Sequence, residues 1–394
     1  MKSHLEVADI FRAFGPAYRK ARGHKMPLRH LRAMRAIEIC RTAELGGHID
    51  ECDNCGTLRI SYNSCRNRHC PKCQSLEKER WLEARKEDLL PTHYFHLVFT
   101  LPEGLRSFAL RNQKVVYNLL FKAVSETLIK LAKEPKYLGA ELGFITILHT
   151  WSQTLIDHPH IHCIVTGGGL SLDGRRWVSF RKGFFIPVKV LSRLFRGKFL
   201  SFLKKAYHSG KLRFPGETAL LKEETVFKKL LTGLYQKEWV VYCKPPFKRP
   251  ENLMDYLGRY THRIALSNER LVKLEGNQVT FSWRDSSDHN KIKEMTLEAF
   301  EFIRRFLLHV LPERFVKIRH YGLLSNRNQK TKLLRCKELL GVFRKKKPQE
   351  PLKATWEELL TRITGIDPRV CPHCGKGRMI KKEILLPQNG RGFP

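Results

Sequence analysis

His158-Pro159-His160-Ile161-His162-Cys163-Ile164-Val165 sets three histidines at alternate positions and ends in a branched apolar pair. Along an extended strand, successive side chains point to opposite faces. His160 and His162 therefore project together, while Ile161 turns toward a core and Cys163 reads as a small buried hydrophobe. Two neutral imidazoles on one face can chelate a divalent metal, but they need a third ligand. The stretch ITILHTWSQ (145–153) supplies it if it pairs alongside: Gln153 offers an amide oxygen, and His149 or His158 a ring nitrogen. One amide oxygen with two imidazoles predicts Mg2+ or Mn2+, with water in the open positions.

Working outward, YFHLVFTLP (94–102), FITILHTW (144–151) and IHCIVTGGG (161–169) read as strands rich in aromatic and β-branched residues. The glycine triplet Gly167–Gly169 is expected to end the third. Leu105 to Lys133 reads as one long amphipathic helix, and the lysine-rich residues 189–240 as a helical excursion from the sheet. ENLMDYLGRYTHRIAL (251–266) predicts a helix, NERLVKLEGN (268–277) and QVTFSWRD (278–285) two strands, Leu297–Leu308 a helix, and FVKIRHYG (315–322) a strand. Helical pieces precede residue 48, a helix is expected over Ser75–Leu90, and another near Trp356–Ile363. The pattern is α+β.

Eleven cysteines, an odd and clustered set, suit metal binding better than a disulfide framework. Residues 48–73 hold five of them in polar surroundings with too little apolar mass for an independent core. Cys52-x2-Cys55 and Cys70-x2-Cys73 are two knuckles 14 residues apart, a spacing that can put four thiolates around one zinc ion. Gly56 and Pro71 suit tight turns there. Cys65, His69 and His48 remain as competing ligands. Arg66 and Arg68 beside the knuckles are candidate phosphate contacts. The later Cys371-Pro-His-Cys374-Gly knuckle either takes a second zinc with a distant His or Cys, or is only a turn.

Tyr256 and Tyr260 lie four apart on the expected helix and so share a face, among Arg259, His262 and Arg263. One reading is packing on the sheet. The other is nucleophilic: a phenol helped by a metal-polarised phosphate and by nearby cations can form a phosphotyrosyl link, which a free 3′-OH can reverse.

The net charge of +35 calls for a polyanionic partner, most often nucleic acid. With 42% hydrophobic residues, global disorder is not expected. No apolar run is long enough to span a bilayer. MKSHLEVADIFRAFG lacks the apolar core of a secretory signal, so a cytoplasmic, DNA-associated protein is expected. No P-loop occurs, so no nucleotide hydrolysis is expected.

Four stretches, SYNSCRNRHCPKCQ (61–74), HPHIHCIVTGGGLS (158–171), YLGRYTHRIALSNERL (256–271) and VKIRHYGLLSNRN (316–328), resemble rolling-circle insertion-sequence transposases of the two-tyrosine HUH family, which carry an amino-terminal transposase zinc-binding domain. The resemblance implies a ferredoxin-like or RRM-like sheet with the HUH strand at its centre. It also implies a divalent metal and single-stranded DNA cleavage with covalent 5′ attachment. By position, His160 and His162 match the HUH histidines, Gln153 the place of a third metal ligand, Tyr256 and Tyr260 the nucleophiles, and Cys52, Cys55, Cys70 and Cys73 the zinc knuckles. Arg66, Arg68, Arg259 and Arg263 are the expected DNA contacts. The expected organisation is a helical and zinc-ribbon module over 1–90, a catalytic domain over 91–330 with a basic insertion near 189–240, and a basic segment over 331–394. The expected activity is nicking and rejoining of single-stranded or hairpin element ends. A plasmid replication or mobilisation initiator, or a non-catalytic zinc-containing DNA-binding protein, are the alternatives.

Overall fold

The computed structural model describes residues 5–181, 185–247, 258, 264–285, 287–342 and 354–388. Three antiparallel sheets and the helices around them form a mixed α+β architecture. The largest sheet runs β11 (Ile318–Gly322), β4 (Ala140–Trp151), β5 (Asp157–Ser171), β3 (Tyr94–Thr100), β7 (Val241–Phe247), with β6 (Trp177–Ser179) attached to β5. The histidine stretch lies on β5, between β4 and β3, so its backbone is hydrogen-bonded on both sides.

The β4–β5 hairpin is longer than the sequence patterns predict. Gly167–Gly169 do not end β5, which continues to Ser171. They are glycines because neighbours press on the strand. A Cβ at Gly167 would lie 2.5 Å from the His93 ring, one at Gly168 would meet the Val178 carbonyl oxygen, and one at Gly169 that of Glu141.

One face of this sheet carries Phe95, Leu97, Phe99, Phe144, Ile161, Cys163 and Val165. It is covered by α4 (Arg106–Arg111), α5 (Gln113–Lys133), α6 (Val188–His208) and α7 (Glu224–Gln236). Phe195, Phe199 and Phe227 from α6 and α7 are almost fully buried in that core. The expected excursion is thus a covering layer of the sheet. The expected single helix over 105–133 is divided at Asn112, whose side chain holds the Phe108 carbonyl and, on another segment, the Arg213 backbone.

The opposite face places Tyr94, Ile145, Ile147 and Ile164 against Trp81 and Leu82 of α3 (Pro71–Lys86) and Leu333 and Cys336 of α9 (Lys332–Leu339). α3 begins earlier than the sequence pattern predicts: Cys70 caps it and Pro71 occupies the first helical position, where its missing N–H costs nothing.

A second core joins α1 (Val7–Arg22) and α2 (Leu28–Glu38) to a small sheet, β8 (Leu271–Glu275), β9 (Gln278–Asp285) and β10 (Lys291–Glu298), and to α8 (Ala299–Leu308). Phe11 packs edge-on against Phe306 with ring centroids 5.3 Å apart. This core spans both sides of residue 90. The third sheet pairs β1 (Gly47–Cys52) with β2 (Leu58–Tyr62) on one edge and with β12 (Met379–Leu385), from the far end of the chain, on the other. α10 (Trp356–Thr364), with the Thr355/Glu358 capping box, precedes β12. Among the described residues, no helix is long and apolar enough to cross a membrane.

Candidate active site and metal centres

β4 and β5 pair so that His149 stands directly across from His160, and Ile147 from His162. The alternation places His160 and His162 on one face, as the sequence predicts, and the hairpin register adds His149. One ring nitrogen from each of the three lies within 4.8 Å of the others. His160 Nδ1 donates to the His158 carbonyl at 2.6 Å. His162 Nδ1 is bonded to His96 Nε2 at 2.9 Å. With both Nδ1 atoms held, the two Nε2 atoms face each other at 3.1 Å. Such a second contact fixes the tautomer and ring orientation of a ligating histidine.

The surroundings favour neutral rings at His96 and His158, beside the cluster. Burial, then the charges of Lys244 and His160, push His96 down to about 3. His158 is lowered by burial and by Arg106 beside it. Trp151 stacks on His149 at 4.6 Å and closes one side of the cluster.

Gln153 lies in the β4–β5 turn, beyond the end of β4, where its main-chain carbonyl oxygen accepts from Arg270 at 2.5 Å. The residue that register brings to the pair is His149, because a strand partner directly opposite is nearer than a residue past the strand end. His96 escaped the sequence reading. Its signal was a polar residue inside the apolar strand YFHLVFT, two positions from Val98, which pairs with His162.

Tyr256, Tyr260, Arg259 and Arg263 lie outside the described residues. Gly258, between the tyrosines, is described and buried. A Cβ there would come within 3.0 Å of Leu82 Cδ1 on α3.

The single four-thiolate ribbon is corrected. Cys70 and Cys73 gather with Cys40 and Cys65, whereas Cys52 and Cys55 gather with Cys371 and Cys374. In the first set all four residues are buried. Cys73 Sγ is 3.7 Å from Cys40 Sγ and 3.6 Å from Cys65 Sγ. Four sulfurs about 2.3 Å from one zinc ion lie about 3.8 Å apart along tetrahedral edges, so these positions fit a structural zinc. The knuckle spacing suited one shared ion equally well. It gave no hint of Cys40, which follows α2 and stands alone in the sequence.

Arg66 is exposed, at a positive φ of 53°. Arg68 faces inward instead: its guanidinium donates to the Phe315 and Pro312 carbonyls at 2.5 and 2.9 Å. Its place as an expected DNA contact is therefore corrected to a tie between the cysteine-rich loop and the segment before β11.

Comparison with known proteins agrees with this geometry. Residues 143–332 match a family described as "Putative transposase", and residues 10–101 match the "Transposase zinc-binding domain". The chain is 51% identical over 384 residues to "Putative transposase y4qJ" of Sinorhizobium fredii (strain NBRC 101917 / NGR234), covering 98% of this chain and 96% of that protein. It is 28% identical over 350 residues to the "Transposase for insertion sequence element IS801" of Pseudomonas savastanoi pv. phaseolicola, covering 86% and 80%. The three histidines fall inside the first match and six of the eight clustered cysteines inside the second; the chain belongs to the IS91-type transposases of the two-tyrosine HUH family, with their zinc-binding domain at its amino-terminal side.

Proposed function

We propose that this transposase nicks and rejoins single-stranded DNA at element ends, through a 5′-phosphotyrosine formed by Tyr256 or Tyr260 over a metal held by His149, His160 and His162. The convergence of three ring nitrogens, two of them with the opposite nitrogen already bonded, carries the reading. The strand order adds to it. Taken as β3, α5, β4, β5, α6–α7, β7, the main sheet has the sequence of elements and the order fourth, first, third, second of a ferredoxin-like fold, with the HUH strand inside it.

The donor set suits the ion. Three neutral imidazoles and no carboxylate favour Mn2+ over Mg2+, which prefers oxygen. A metal held by these three histidines would supply positive charge to polarise the scissile phosphate. The tyrosine oxygen then bonds to phosphorus as the bond to the 3′ oxygen breaks; the phenolic proton leaves, and the 3′ oxygen takes one up. Attack by another 3′-OH reverses these steps and transfers the strand. Gly258 supports the placement. It meets α3, and α3 covers the face of the sheet that also carries the histidines.

On this reading the histidine sheet carries the chemistry, and Arg66, Arg259 and Arg263 serve as phosphate contacts. A replication initiator would share the reaction, but relatives bearing the name transposase favour transposition.

Labelled single-stranded element ends incubated with Mn2+ should give a protein–DNA adduct on a denaturing gel. Each single Tyr→Phe change should impair complete transposition, and the double change Tyr256→Phe/Tyr260→Phe should give no adduct. An adduct that survives the double change, mapped to another residue, overturns the mechanism.

A further inference from the structure

We propose that Cys52, Cys55, Cys371 and Cys374 hold a second structural zinc ion, which fastens the carboxy-terminal segment to the amino-terminal hairpin. The zinc-binding family match ends at residue 101, so half of this ligand set lies outside it.

The four sulfurs have the spacing of a metal site. Cys52 Sγ lies 3.7 Å from Cys374 Sγ, and Cys55 Sγ lies 3.8 Å from Cys371 Sγ. These are the edges of a zinc–thiolate tetrahedron, about 3.8 Å, and far from the roughly 2.05 Å of a disulfide.

The two knuckles are also built alike. Each is Cys-x2-Cys-Gly. Gly56 N donates to the Cys52 carbonyl and Gly375 N to the Cys371 carbonyl, both at 3.0 Å. Both glycines sit at positive φ, 70° and 65°, which glycine tolerates without strain. The two turns thus point their paired thiols at one centre.

The backbone around them is joined as well. Asp53 N donates to the Arg378 carbonyl at 3.1 Å, and Arg378 N returns a bond to Asp53 Oδ1 at 2.7 Å. Gly377 lets the knuckles meet: a Cβ there would lie 2.5 Å from Cys52 Sγ and 2.7 Å from Asp53 Oδ1. Beyond the knuckle, β12 pairs with β1 from Cys52 back to Gly47. Cys55 and Cys371 are 316 positions apart, and a cross-link that closes so long a loop removes much chain entropy from the unfolded state. Without metal, the knuckles have few apolar contacts to keep them together: Cys52 and Cys371 are buried, but none of the four joins the hydrophobic cores, and Cys55 is exposed and Cys374 only half-buried.

Native mass spectrometry of the full chain reads the zinc count. Cys371→Ser/Cys374→Ser should lose one zinc relative to the parent, Cys52→Ser/Cys55→Ser should lose one, and the quadruple variant should lose no more than either pair. A full zinc count in the Cys371→Ser/Cys374→Ser protein overturns the site, as does a quadruple variant that loses one more zinc than each pair. A second measurement uses the unaltered protein, so misfolded variants cannot obscure the result. Alkylation with mass readout should find all four thiols protected together and released together as a chelator removes zinc. Alkylation of Cys371 and Cys374 at the rate of free thiols in the zinc-loaded chain overturns the proposal. Neither measurement depends on DNA cleavage, so the zinc clamp stands or falls apart from the strand-transfer reading.

Discussion

Asp157 opens β5 opposite Trp151 and is only 4% exposed. Neither carboxyl oxygen has a hydrogen-bond partner among the described residues. Burial lifts its pKa to about 7, against the opposing pull of Arg106. The native state therefore keeps this proton after the unfolded chain has released it near 3.8. Between those values the unfolded state binds fewer protons, so stability falls as pH rises through the window. Asp157→Asn removes the slope. Its unfolding free energy from urea titration should gain on the parent from pH 5 to pH 7, by at most about 1.4 kcal/mol per pH unit. Parallel pH profiles for the two proteins would refute a buried protonated carboxyl. The proposed metal ligands give a second test at this scale. His149→Ala should cut Mn2+ affinity by at least about 10-fold and His96→Phe by roughly 10–100-fold, while Gln153→Ala changes it little. Titration followed by electron paramagnetic resonance would rank the three; a larger loss at Gln153 than at His149 would restore the amide oxygen as ligand.

At the scale of elements, Arg68 links the cysteine-rich loop to the chain before β11 through the Pro312 and Phe315 carbonyls. Arg68→Ala leaves both acceptors short of a charged donor. It should lower stability by about 1.5–3 kcal/mol in urea unfolding, with the salt dependence of DNA binding unchanged. A variant of parental stability that bound DNA with a shallower salt slope would return Arg68 to the DNA contacts. Elements with an apolar rhythm were legible in the sequence: β3, β4 and β5 all lie where aromatic and β-branched runs placed them. β10 was not, because KIKEMTLE is an outer strand with four charged residues, the pattern that keeps a free edge from pairing further. β12 was hidden for another reason: its partner β1 is more than 300 residues away, and local pattern carries no record of such pairing. The histidine pair was readable from the two-residue strand period, but its third member depended on hairpin register. The cysteines could be recognised as ligands by type and spacing, yet their grouping depends on tertiary contacts that spacing does not encode.

Across the whole molecule the net charge is +35, and so large an excess on a folded chain is costly unless a polyanion offsets it. Each phosphate neutralised on a single strand releases condensed counterions, so log K should fall linearly with log salt, by about 0.7 per phosphate contacted. A site that engages about eight phosphates would then lose roughly 2,000-fold in affinity between 50 and 200 mM salt. The histidine cluster contributes little to this term, because three imidazoles add few contacts beside 73 lysines and arginines. His160→Ala/His162→Ala should therefore bind single-stranded element ends with the parent's salt slope and fail to cut them. Fluorescence anisotropy across a salt series, alongside a cleavage gel, measures both halves. A nearly flat slope would mean that the charge serves another partner, and cleavage retained by the double variant would remove the histidines from the chemistry. Loss of binding and cleavage together, at parental stability, would instead make the cluster part of the DNA-binding surface.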